Sequence, residues 1–87
     1  MTTKAEKAHL ARVAQLPCVL CGDSPVEVHH VRTGAGLSQR SSHYLTVPLC
    51  PACHRGQFGL HGDKAVLRVR KVTEMDLLAR VIERLTA

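Results

Sequence analysis

The sequence predicts a small α+β fold held together by a bound metal, and three observations predict it. The chain has 87 residues, a length at which a hydrophobic core seldom suffices without a staple. Its aromatic inventory is Phe58 and Tyr44 with no Trp, so the core must be built from Leu, Val, Ile and Ala. Its four cysteines stand as two close pairs, Cys18/Cys21 and Cys50/Cys53, with helical periodicity toward both ends of the chain and short β-branched runs between.

Each element follows from its residues. Over 3–16, Thr3 can cap a helix with Glu6 three positions on, and Ala5, Ala8, Leu10, Val13 and Leu16 recur at helical spacing until Pro17 ends it. After the first cysteine pair and a turn at Asp23, Ser24 and Pro25, the alternating run 26–31 predicts a strand. Residues 32–42, with Gly34, Gly36 and three serines, lack periodicity and predict a long loop, which in a small domain tends to be functional. Residues 45–47 predict a second strand, stopped by Pro48. A helical turn should begin at the second cysteine pair and His54, kept short by Gly56, Gly59 and Gly62. Asp63 can cap a segment through Arg70. Thr73, with Asp76 three residues on, opens the clearest helix, within 73–86, whose expected apolar stripe is Met75, Leu78, Ile82 and Leu85. Without repeats or a linker, residues 1–87 read as one domain with a motif core at 17–62.

Cys18, Cys21, Cys50 and Cys53 match a structural zinc site, because a C-x2-C turn brings two thiolates to one ion and four thiolates close its tetrahedron. The competing reading is four free or disulfide-bonded cysteines. No apolar run resembles a signal peptide or membrane span, so a cytoplasmic location is expected, where paired cysteines are more often ligands than disulfides. The formal charge of +5 suits a polyanionic partner.

A zinc knuckle does not require the histidines, yet five of the six fall within residues 29–61: His29, His30, His43, His54 and His61. Imidazole binds transition metals and suits general base work at neutral pH. The order C-x2-C, His29-His30-Val31, a Gly-rich loop, Val47-Pro-Leu-Cys-x2-Cys53-His54 and then Leu60-His61-Gly62 resembles the zinc-containing HNH endonucleases, particularly small phage and prophage members. The resemblance covers about half the chain.

The resemblance implies a ββα-metal core, stapled by the four-cysteine zinc site and flanked by the two terminal helices. It implies His29 and His54 as ligands of one catalytic divalent ion, and His30 as the general base. His43 falls near a position that is usually Asn or Asp, as a third ligand, an orienter of the base or a phosphate contact. His61 is a further ligand, a phosphate contact or a loop-packing residue. Neighbouring strand residues point to opposite faces, so for His29 and His30 to share a site a bulge or twisted strand end is expected. Arg32, Arg40 and Arg55 flank the site as candidate phosphate contacts.

The function implied is hydrolysis of double-stranded DNA by a monomer or weak dimer that nicks one strand per site, leaving 5′ phosphate and 3′ hydroxyl. A bacterial or phage-encoded intracellular protein is the corresponding source. Imidazole ligands without a carboxylate favour Mn²⁺ over Mg²⁺, with Co²⁺ or Ni²⁺ as further options. The alternatives are a non-catalytic zinc-ribbon DNA-binding module and a protein-interaction module docking through the C-terminal helix.

Overall fold

Two capping boxes set where the terminal helices begin. Thr3 accepts from the Glu6 N–H at 3.1 Å while the Glu6 carboxylate accepts from the Thr3 N–H at 2.8 Å, and Thr73 and Asp76 repeat the exchange at 3.2 and 2.9 Å. In this computed structural model, which describes residues 2–32 and 41–87, the elements are α1 (Lys4–Ala14), β1 (Glu27–His30), β2 (Thr46–Leu49), α2 (Pro51–Arg55), α3 (Ala65–Arg70) and α4 (Glu74–Thr86). The architecture is α+β: an antiparallel two-stranded sheet against which α1, α2 and α4 pack.

The hairpin register pairs Glu27 with Leu49, Val28 with Pro48, His29 with Val47 and His30 with Thr46, without a bulge. The distortion expected at the two histidines is therefore not there. The second strand also continues through Pro48 instead of stopping at it. The Pro48 carbonyl accepts from the Val19 N–H at 3.0 Å. In a strand the N and C=O of one residue point the same way, so the Pro48 nitrogen faces away from β1 and the missing N–H removes no ladder bond.

The core lies between the hairpin and the helices, with Val13 of α1, Val47 and Leu49 of β2, and Leu77 and Val81 of α4 almost fully enclosed. The buried stripe of α4 is Leu77, Leu78 and Val81, with Leu85 packed at its margin. Met75 and Ile82, expected in it, are about half exposed at 51% and 52%. Six apolar residues on this helix allow two adjacent stripes, and packing against β2 selects the one centred on Leu77 and Val81. On α1 only Val13 is buried, and Ala5 and Ala8 face solvent.

After α2 the chain turns tightly: the Leu60 N–H reaches the Cys53 carbonyl and the His61 N–H reaches the His54 carbonyl, each at 2.9 Å. A Cβ at Gly59 would stand 2.6 Å from the Cys53 carbonyl oxygen, and one at Gly62 would collide with the Gln57 carbonyl. This turn needs glycine to bring His61 back beside α2. The Asp63 carboxylate accepts from the Ala65 N–H at 2.8 Å at the start of α3. No helix among the described residues is long and apolar enough to cross a membrane.

Candidate functional site

Cys18, Cys21, Cys50 and Cys53 converge, with their sulfurs all within 4.8 Å of one another. Cys21 Sγ and Cys50 Sγ are 3.5 Å apart, far beyond the ~2.05 Å of a disulfide and close to the ~3.8 Å edge of a tetrahedron with 2.3 Å metal–sulfur bonds. The group could hold a metal ion. Burial pushes the Cys18 thiol up. The N–H groups of Cys50, Cys21 and Leu20, with the Cys21 thiol, together outweigh that and bring it down to about 7, favouring the thiolate that binds metal. Cys21 and Cys53 are raised instead, chiefly by burial.

The unbroken alternation of β1 sends its two histidines to different faces. Glu27 and His29 share one face, Val28 and His30 the other. On the first face His29 meets His54 from α2 and His61 from the turn beyond. The ring centroids are 5.2 Å apart for His29–His54, 5.1 Å for His29–His61 and 4.6 Å for His54–His61. One nitrogen of each lies within 4.8 Å of the others, so these three also form a group that could hold a metal.

His29 is 3% exposed. Its Nε2 lies 2.6 Å from Glu74 Oε2, and its Nδ1 is buried with no hydrogen-bond partner among the described residues. A buried polar atom left unpaired costs on the order of 1–3 kcal/mol, so His29 Nδ1 fits a position meant for a ligand. Burial holds the imidazole below its ordinary pKa although Glu74 pulls it up, which keeps it neutral, as a metal ligand must be. His54 Nδ1 is 2.8 Å from Glu27 Oε1. A cavity lined in part by His29, His61, Arg32, Lys64 and Glu74 lies beside the group.

On the opposite face His30 Nε2 lies 2.9 Å from His43 Nδ1, and His43 Nε2 is 3.4 Å from Thr2 Oγ1. Burial first, and then the neighbouring His43, lower the pKa of His30. His43 does not join the three-imidazole group, so the ligand role expected for it is not met there, and its hydrogen bond to His30 is the contact an orienter would make. Arg32 reaches the cavity. Arg55 donates to Glu27 through Nε at 2.8 Å and through a terminal nitrogen at 2.5 Å, which ties it to the site through Glu27. Arg40 lies outside the described residues.

Glu27 and Glu74 were not expected at the site. Glu27 carried a usable signal, since a strand residue two positions before His29 shares its face. Glu74 had none nearby: it reaches His29 only because α4 docks its first residue there, 45 positions away. No family model, no curated protein and no solved structure significantly matches the chain.

Proposed function

We propose that the chain is a metal-dependent endonuclease of the HNH type acting on double-stranded DNA, with zinc in the four-thiol group as its staple. The observation that carries this reading is that adjacent residues at the end of β1 belong to two different imidazole groups. His29, whose buried Nδ1 has no partner among the described residues, joins a three-histidine set, and His30 joins a hydrogen-bonded histidine pair. A zinc-ribbon or docking module needs neither.

The chemistry follows from the hydrogen bonds. If His30 donates its Nε2–H to His43 Nδ1, its lone pair stays on Nδ1, and His43 then keeps its own proton on Nε2, toward Thr2. Neutral His30 takes a proton from water at Nδ1 as the water oxygen bonds to phosphorus. The P–O3′ bond breaks, and the departing oxygen is protonated by solvent, giving 3′ hydroxyl and 5′ phosphate. A divalent ion held by His29, His54 and His61 would offset the charge that builds on the phosphate and the leaving oxygen. Arg32 and Lys64, at the cavity beside His29 and His61, hold the phosphate backbone. For one phosphodiester to meet both groups it would have to lie across the end of β1, where His29 and His30 are adjacent.

The test is supercoiled plasmid incubated with the protein and Mn²⁺. Open-circular product must appear with Mn²⁺ and vanish with chelator. Folded protein that leaves the plasmid supercoiled with Mn²⁺, Co²⁺, Ni²⁺ and Mg²⁺ alike would sink the enzyme reading in favour of a binding module.

A further inference from the structure

Resting on the reading of His29, His54 and His61 as a metal site, we infer that Glu74 and Glu27 are its positioning residues, each fixing the tautomer of one ligand imidazole so that the opposite nitrogen is left for the ion. Neither carboxylate belongs to the three-imidazole group itself. Each holds one of its members from behind.

An ionised carboxylate only accepts hydrogen bonds. With Glu74 Oε2 at 2.6 Å from His29 Nε2, the single proton of neutral His29 sits on Nε2 and its lone pair on Nδ1. That Nδ1 is buried with no hydrogen-bond partner among the described residues. With Glu27 Oε1 at 2.8 Å from His54 Nδ1, the proton of His54 sits on Nδ1 and its lone pair on Nε2. The two ligands therefore use opposite ring nitrogens, and each choice is set by a glutamate. Metal-ligating histidines commonly donate their other N–H to a carboxylate, which orients the ring and raises its basicity.

Both carboxylates are themselves anchored. Glu27 is gripped by the Arg55 guanidinium through two bonds. Glu74 is the first residue of a helix whose start is set by the Thr73–Asp76 box, and both its oxygens lie 3.4 Å from the Arg32 N–H. This also assigns a role to the docking of α4: it delivers Glu74 to a histidine on β1.

The experiment has two readouts on the full chain. Long-range ¹H–¹⁵N spectra of the imidazoles before Mn²⁺ is added should give His29 as the Nε2–H tautomer and His54 as the Nδ1–H tautomer. Calorimetric Mn²⁺ affinity should fall about 10–100-fold in Glu74→Ala and in Glu27→Ala, and less in Glu74→Gln, which keeps an accepting oxygen. The tautomers are read in the unsubstituted protein, so poor folding of a variant leaves that arm intact. Opposite tautomers in a chain that binds Mn²⁺, or undiminished affinity in folded Ala variants, would overturn the inference alone. Failure of the unsubstituted protein to bind Mn²⁺, Co²⁺ or Ni²⁺ at this group would overturn the metal reading and the inference together.

Discussion

The thiol group and the three-imidazole group are built from overlapping parts of the chain and differ in one respect that decides what each can do. Both gather ligand atoms within 4.8 Å, and both draw on α2, where Cys53 and His54 are neighbours. The thiol group offers four ligands, a complete tetrahedron with no position for substrate. Among the described residues the imidazole group offers three and borders a cavity lined in part by Arg32 and Lys64. Closure suits a staple, and an open position suits chemistry. The shared helix also makes the two unequal partners, because a five-residue helix is far too short to persist alone and depends on its cysteines for its place.

That dependence gives the largest expected effect. Cys50→Ser or Cys18→Ser should abolish the cooperative thermal transition seen by circular dichroism, since structural zinc supplies folding free energy of roughly 10 kcal/mol or more in small domains. Metal binding at the imidazoles should be lost with it, because His54 goes with α2. A variant with a native melting curve would break the staple half of the comparison.

His30→Ala should be the next largest and should affect only cutting. A general base contributes about 10²–10⁴-fold, so nicking should drop by at least about 100-fold while the melting curve and Mn²⁺ affinity stay as they were. Cutting at the unsubstituted rate would remove His30 from the base role. The active form is the neutral imidazole, and burial and His43 lower its pKa. The rate of the unsubstituted protein should therefore hold as pH falls toward 6.5, the ordinary histidine value, and decline only below it. A decline centred above 6.5 would contradict this.

The smallest effect concerns metal choice. Imidazole ligands favour Mn²⁺ over Mg²⁺, and His29→Asp should narrow that preference by supplying a hard oxygen. An aspartate there faces Glu74, so the comparison is sharper in a Glu74→Gln background, where like-charge repulsion is relieved. An unchanged ranking of initial nicking rates would mean that His29 is not a ligand.

How much of this was legible in the chain depended on whether the signal was local. Thr3 with Glu6 and Thr73 with Asp76 are short-range hydrogen-bond patterns, and both terminal helices begin where those patterns place them. The paired cysteines were equally local. The buried stripe of α4 was not, because choosing between Met75/Ile82 and Leu77/Val81 requires knowing which face meets β2. Pro48 misled because its ring reads as a strand stop, whereas in a two-stranded sheet half of all backbone N–H groups point away from the partner. The convergence of His29, His54 and His61 was suggested by resemblance. Strand alternation alone puts His29 and His30 on two faces, and β1 keeps that alternation without the bulge that a shared site would need. The elementary rule held. Glu74 remained invisible because its contact with His29 is purely tertiary.

The most direct measurement removes the metal from one group and leaves the other filled. Protein treated with a mild chelator and analysed for bound metal should retain one zinc per chain, keep its circular dichroism spectrum and fail to nick supercoiled plasmid, and adding Mn²⁺ should restore nicking without changing the spectrum. Undiminished nicking by the one-zinc protein, or no nicking after Mn²⁺ is added to folded one-zinc protein, would contradict the assignment of the thiols to structure and the imidazoles to chemistry.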